Sequence, residues 1–286
     1  MTVDREAAIK KADVLVEALP YIRRFHGDTI VIKLGGSALQ EAKAGVLEDV
    51  VLLRYVGMNP VVVHGGGPEI TAMQERMGLQ SRFVEGLRVT DEASMEVVKM
   101  VLTGKVNPDL VAALNGLGGQ AVGMSGEDGP SILVKPMPSV NGEDLGFVGE
   151  VAQVNAEPIR AMLERNYIPV FASVGLGYDG KSYNVNADTV AAELAVALGA
   201  RKLILLTNVE GVKDAAGNLI SEIVAHDVTT RIEDGTVTGG MIPKVKACVR
   251  ALAGIEKAHI IDGRVPHALL LELLTSEGIG TMILQG

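Results

Sequence analysis

Two short glycine runs carry the strongest chemical signal in this chain of 286 residues. Lys33-Leu34-Gly35-Gly36-Ser37 closes one apolar, β-branched run, and His64-Gly65-Gly66-Gly67-Pro68 closes the next. In open α/β sheets, ligands bind beyond the carboxyl ends of strands, and residues without side chains let backbone N–H groups approach an anion closely. Pro68 suits the first position of a helix. A single Gly-Gly pair reads as a tight turn. Two such pairs after adjacent strands, one preceded by a lysine, read better as a phosphate cradle. Lys33 at the end of a buried strand is costly unless an anion meets it, although its stem could equally carry the charge out to water.

Two other segments concentrate polar groups at the start of apolar helices. In Tyr183-Asn184-Val185-Asn186-Ala187-Asp188, extended chain would bring Asn184, Asn186 and Asp188 close together. Helix capping accounts for one of these three residues but not for all. Thr236–Lys244 opens a helix with Gly239, Gly240 and Lys244; taken alone, it reads as a loop and a solvated lysine. The run Gly175-Leu176-Gly177-Tyr178-Asp179-Gly180-Lys181-Ser182 satisfies both the P-loop pattern and G-x-G-x-x-G. Both patterns require a helix at once, because the helix N-terminus is the phosphate site. Ser182–Asn186 instead favours extended chain, and Asp179-Gly180 suits a type I′ hairpin turn.

The elements that must hold these residues alternate. Strands are expected at Thr29–Ile32, Pro60–Val63, Ala121–Met124, Ile168–Ala172, Lys202–Leu206 and His259–Ile261. Helices fit after the first two glycine runs and at Asp91–Thr103, Pro108–Leu117, Ala156–Asn166, Ala187–Leu198 and Gly240–Ala253. This is the pattern of a mainly parallel sheet with helices on both faces. Pro130–Val154, broken by Pro, Gly and charge, reads as β-hairpins outside that sheet. Residues 1–27 read as an amphipathic helix outside the main fold, which Pro20 should kink. Its stripe of Leu15, Leu19 and Ile22 must be buried against this chain or against another subunit.

Composition narrows the class. With 26 Lys+Arg against 35 Asp+Glu, the formal net charge is −9, and aromatics make up 3%. That argues against nucleic-acid binding, for which both positive charge and stacking platforms are wanting. No apolar run approaches ~20 residues, so no membrane span is expected. The single cysteine, Cys248, cannot form an internal disulfide and lies on a helical apolar face, which points away from a catalytic thiol and towards a reducing compartment. A cytoplasmic protein is the expectation.

Together with Gly86-Leu87-Arg88-Val89-Thr90-Asp91, these segments resemble the amino acid kinase family from Thr29 to Leu284. The resemblance implies a three-layer αβα sandwich, divided into an N-terminal helical extension (1–28), an acceptor-binding lobe (29–200) and a nucleotide-binding lobe (201–286). It implies transfer of the ATP γ-phosphoryl group to the γ-carboxylate of N-acetyl-L-glutamate, a step of arginine biosynthesis. Lys33 and Lys244 would act on the transferring phosphoryl group, with Asp188 holding both lysines. Gly65, Gly66, Arg88, Asn184 and Asn186 would bind the acceptor. Gly35, Gly36, Thr207, Asn208, Gly211, Gly239, Gly240 and Met241 would meet the nucleotide. Mg²⁺ would be held mainly through the ATP phosphates, and no residue is assigned as a metal ligand. The family usually has Thr-Asp where this chain has Thr207-Asn208. The C-terminal segments Pro266–Thr275 and Gly278–Thr281, with the N-terminal extension, resemble the arginine-inhibited, hexameric branch. There Tyr21, Lys202, His267, Glu272 and Gly278 would contact the L-arginine inhibitor. The alternatives are another kinase of the family acting on aspartate, glutamate or carbamate, and a non-catalytic arginine sensor on the same fold.

Overall fold

The computed structural model describes residues 5–35 and 43–286. The chain opens with helix α1 (Arg5–Phe25) and strand β1 (Thr29–Leu34). It continues with α2 (Lys43–Tyr55), β2 (Asn59–His64), α3 (Gly67–Arg76), the short strands β3 (Phe83–Val84) and β4 (Leu87–Arg88), α4 (Glu92–Val101), a π-helical turn (Leu102–Val106) and α5 (Asn107–Gly116). Next come β5 (Ala121–Ser125), β6 (Ile132–Pro136), β7 (Gly149–Val154), α6 (Glu157–Glu164), β8 (Ile168–Ala172), β9 (Val174–Gly177), β10 (Ser182–Asn184), α7 (Ala187–Leu198) and β11 (Lys202–Thr207). The last part holds β12 (Glu222–Val224), α8 (Val228–Glu233), α9 (Met241–Ala251), β13 (Lys257–Asp262), α10 (Ala268–Leu274) and β14 (Gly280–Leu284).

The central sheet has eight strands in the order β12-β14-β13-β11-β1-β2-β8-β5. Every neighbouring pair is parallel except β13 and β14. Its middle strands are buried on both faces, which is why Ile30–Ile32, Val61–Val63 and Leu203–Leu206 read as unbroken apolar runs. Alternation along β1 divides the core into two layers. Ile30, Ile32 and Leu34 pack with residues of α2, α4, α5 and α10, while Val31 packs with residues of α6, α7 and α9. Lys33 shares the parity of Val31 and therefore projects on the α7–α9 side. Since β1 pairs with both β2 and β11, the sheet runs unbroken across residue 200.

Among the described residues the strands and helices expected from the sequence are present, with five differences; the start of the helix expected after Gly35-Gly36 lies outside the described residues. β12 and β14, too short or too late in the chain to show an alternating pattern, complete one edge of the sheet. The hairpin region joins β9 and β10 in a separate four-stranded sheet, β10-β9-β6-β7. The two helices expected at Asp91–Thr103 and Pro108–Leu117 are bridged by the π-helical turn rather than by a loop. The β9–β10 connection is a hairpin, but not of type I′: Gly180 alone has positive φ (78°), and Gly180 N–H donates to Gly177 O. This is a type I turn followed by a left-handed glycine. β10 follows it directly, so no helix starts where a P-loop needs one. Finally, α1 runs through Pro20 as one helix, and its stripe divides. Ala18, Tyr21, Ile22 and Phe25 pack on the core, while Ile9, Val14, Leu15, Val16 and Leu19 are exposed.

Candidate active site

Three local features bring the two lysines together. β1 carries Lys33 between Val63 and Leu205 of its neighbours, with its side chain towards α7. Asn186 caps α7, its side-chain oxygen accepting from the backbone N–H groups of Asp188 (2.9 Å) and Thr189 (3.1 Å). The cap fixes Asp188 in the first turn, facing β1. α9 begins after Gly240 and supplies Lys244 from its own first turn. The result is one carboxylate between two ammonium groups: Lys33 Nζ lies 2.7 Å from Asp188 Oδ1, and Lys244 Nζ lies 2.9 Å from Oδ2.

Burial alone would raise the Asp188 carboxyl, but the two ammonium groups outweigh it and hold it at about 2. Burial pushes Lys33 below the ordinary ammonium range, and Asp188 opposes that shift. Each oxygen of Asp188 is ion-paired to a different lysine, which suits this carboxylate to orienting the two ammonium groups.

These groups stand in a cleft of about 720 Å³ at the carboxyl edge of the sheet. Gly66–Gly67 at the start of α3, Asn186–Ala187 at the start of α7 and Gly240 at the start of α9 all line it. Three helix N-termini thus add their partial positive charge to Lys33 and Lys244, inside a chain that is acidic overall. Arg88 and Asn184 form the far wall, beside Phe83, Glu85 and Val148. Arg88 is buried and held by neutral acceptors: its terminal nitrogens donate to Gln74 Oε1, Ser81 Oγ (2.7 Å), Gly67 O (3.0 Å) and Thr71 Oγ1 (2.8 Å). Its guanidinium carbon also lies 4.6 Å from the centre of the Phe83 ring. None of these four partners carries charge, so Arg88 can offer its positive charge to an anion in the cleft. Asn184 Nδ2 donates to Thr90 Oγ1 at 3.3 Å. Gln74, Ser81 and Thr71 were not singled out in the sequence. The available signal was Gln74 itself, a polar residue one turn after Ile70 on the buried stripe of α3.

A second groove of about 390 Å³ is lined by Val209, Glu210, Gly211, Val212, Lys213, Thr236, Thr238, Met241 and Arg264. Gly211 and Met241 lie in it, whereas Gly239 and Gly240 line the larger cleft next door. Thr207 is buried and organises the turn after β11: its hydroxyl donates to Val209 O (2.9 Å) and accepts from Val209 N–H (3.1 Å). Asn208 is exposed and lines neither space. The Gly35 N–H extends the sheet by donating to Leu206 O at 3.1 Å. Gly36 lies outside the described residues. Among the described residues, no group of three or more His, Cys, Asp or Glu side chains is arranged to hold a metal ion. No described helix is long and apolar enough to cross a membrane.

Of the five residues expected around an effector, Tyr21, Lys202, Glu272 and Gly278 line one cavity of about 170 Å³, together with Phe25 and His259. Buried Glu272 meets His259 Nδ1 at 2.8 Å and Lys202 Nζ at 3.2 Å. His267 does not reach this cavity; its Nδ1 lies 2.7 Å from Asp49 Oδ1, between α2 and the start of α10.

A parallel sheet with lysines and helix N-termini converging at its carboxyl edge defines a phosphotransferase of the amino acid kinase family, whose model matches residues 28–262; the chain belongs to that family. Within it, the chain is 53% identical to the acetylglutamate kinase of a Thermoanaerobacter species, over 96% of this chain and 93% of that protein. It is 50% identical to the acetylglutamate kinase of Caldicellulosiruptor bescii, over 99% of both. N-acetylglutamate synthase from Neisseria gonorrhoeae, solved with coenzyme A and N-acetyl-glutamate, superposes with a TM-score of 0.86 at 28% identity. That match covers 96% of this chain and 63% of the synthase, so the chain spans less than two thirds of the synthase's length. Carbamate kinase from Giardia lamblia (TM-score 0.67, 16% identity, 91% of this chain and 99% of that one) shares the fold.

Proposed function

We propose that this protein transfers the γ-phosphoryl group of ATP to the γ-carboxylate of N-acetyl-L-glutamate, forming N-acetyl-L-glutamyl 5-phosphate in arginine biosynthesis. The observation that carries the reading is the Lys33–Asp188–Lys244 arrangement on the floor of a cleft whose far wall holds Arg88. Phosphoryl transfer between two anions needs positioning and charge compensation more than covalent chemistry. A carboxylate acceptor is already deprotonated at neutral pH, so no general base is required. Lys33 and Lys244 stabilise the migrating phosphoryl group, Asp188 holds them side by side and aimed, and the Gly65–Gly66 backbone supplies further donors. Arg88 and Asn184 select the acceptor, with Asn186 near it as the cap of α7. The nucleotide lies across Gly239–Met241 into the groove at Gly211, in a cytoplasmic enzyme. Mg²⁺ would be held mainly by the ATP phosphates rather than by a carboxylate cluster of this chain, and would supply charge neutralisation on the donor.

The small cavity supports a second element, inhibition by L-arginine. Glu272 is a buried carboxylate suited to a guanidinium, and the cavity is walled by Tyr21 and Phe25 of α1. The exposed apolar stripe of the same helix suits pairing with another copy of the chain, as in a hexamer built from dimers. Assaying ADP release with N-acetyl-L-glutamate, aspartate, glutamate or carbamate as acceptor, with and without L-arginine, tests both parts. The reading expects turnover with N-acetyl-L-glutamate that arginine suppresses. Turnover with a different acceptor alone would overturn the first part. An arginine-insensitive rate would overturn the second.

A further inference from the structure

We infer that His64 is a positioning residue: braced by Asn107, it holds the Gly65 carbonyl so that the N–H of the same peptide unit, that of Gly66, faces the cleft. The inference deepens the phosphoryl-transfer reading and rests on it.

His64 ends β2 and is fully buried. It has the parity of Ile32 and Leu34, so it projects away from Lys33 and towards α5. Its Nδ1 lies 2.9 Å from Gly65 O, and its Nε2 lies 3.0 Å from Asn107 Nδ2. Asn107 Nδ2 also donates to Val170 O at 2.8 Å. A carbonyl can only accept, so Val170 fixes which end of the Asn107 carboxamide is the nitrogen. That nitrogen can only donate, so His64 Nε2 must accept and the ring proton must sit on Nδ1. Nδ1–H therefore donates to Gly65 O. Burial lowers the imidazole to about 4, against smaller opposing effects of the hydrogen bond to Gly65 O and of Glu69, so the ring stays neutral at physiological pH.

The consequence follows from peptide geometry. In a trans peptide the C=O and N–H point in opposite directions. With the Gly65 carbonyl held by the ring inside the protein, the Gly66 N–H is turned outward, where both glycines line the cleft. The π-helical turn supports this from behind. It ends at Val106, directly before Asn107, and so sets the phase at which Asn107 faces β2 and β8. It also packs on the loop: a Cβ at Gly66 would lie 2.8 Å from Leu102 Cδ2 and 3.3 Å from Val106 Cγ2. A donor oriented before substrate arrives needs no reorganisation during the reaction.

The test compares His64→Asn, His64→Gln and His64→Phe in the full-length protein. An Asn amide nitrogen can stand where Nδ1 stood, a Gln amide lies nearer the Nε2 position, and Phe keeps the ring without either nitrogen. The expected result is that kcat falls about tenfold or more in His64→Phe and His64→Gln, with the KM for ATP little changed, while His64→Asn restores most of it. Equal loss in all three, or a loss confined to KM, would overturn the assignment. Imidazole ¹⁵N shifts of the wild type give a readout that does not depend on turnover. The Nδ1–H tautomer, unchanged between pH 5.5 and 8, is expected; the Nε2–H tautomer, or titration within that range, would overturn it. A wild type inert towards N-acetyl-L-glutamate would instead refute the proposed acceptor and leave the tautomer result to decide this inference.

Discussion

Lys33 and Lys244 share one carboxylate: each ammonium group takes a different oxygen of Asp188, at 2.7 Å and 2.9 Å. Two cations that would otherwise repel each other are thereby held side by side at the mouth of three helices. Lys244 is the more exposed of the pair and the better placed to follow a phosphoryl group as it moves. Lys244→Ala is expected to lower kcat by roughly 10²-fold or more, with the KM for acceptor nearly unchanged. Steady-state kinetics with both substrates varied would check this. An effect on KM alone would remove Lys244 from the reacting centre.

Asp188→Asn should damage stability as well as turnover. It leaves Lys33, whose side chain is 9% exposed, without its counter-charge, a change that typically costs about 3–5 kcal/mol. Adding Lys33→Met to Asp188→Asn should recover part of that loss, as read by urea unfolding. The pH dependence has a definite sign. The folded carboxyl sits at about 2, below its ordinary 3.8, so its contribution is complete above roughly pH 4 and disappears as pH falls towards 2. The Asn variant should lack this component of acid unfolding.

Arg88→Ala should raise the acceptor KM about 10- to 100-fold and leave ATP binding intact, as expected for the loss of a hydrogen bond to a charged group. Arg88→Lys should not rescue it, because a lysine cannot satisfy Gln74, Ser81, Thr71 and Gly67 together. Initial rates with acceptor varied at saturating ATP would show this. An unchanged KM would place the acceptor elsewhere.

Glu272→Gln should weaken inhibition by L-arginine by about tenfold or more while leaving uninhibited turnover close to that of the wild type. Deleting residues 1–27 should also weaken it, since Tyr21 and Phe25 wall the same cavity. Inhibition curves at fixed substrate would decide. His267→Ala, by contrast, should leave the curve in place, because His267 is tied to Asp49 away from the cavity.

The sequence made some of this legible and hid the rest for physical reasons. Glycine runs after two apolar strands located the carboxyl edge of the sheet, because backbone–anion contact requires residues without side chains. Asn184, Asn186 and Asp188 declared themselves as more polar groups than one helix cap can use; Asn186 proved to be the cap and Asp188 the counter-ion. Lys33 was ambiguous, since a strand-end lysine can snorkel, and only the partner from α7 resolves it. The His64–Asn107 link was invisible because the two residues are 43 positions apart and their pairing depends on a π-helical turn that leaves no compositional mark. His267 and Glu272 are neighbours in the chain and looked equivalent as effector contacts. A left-handed backbone at His267, just before α10, sends it towards Asp49, while Glu272 points to Lys202.

The central claim, phosphoryl transfer to an acylated dicarboxylate at the Lys33–Asp188–Lys244 floor, is tested most directly by trapping the product with hydroxylamine. Incubating the protein with ATP, Mg²⁺ and N-acetyl-L-glutamate should yield a hydroxamate in proportion to the ADP released, and the yield should fall about 10²-fold or more with Lys244→Ala. ADP release without hydroxamate, or hydroxamate formed equally well by that variant, would contradict the account.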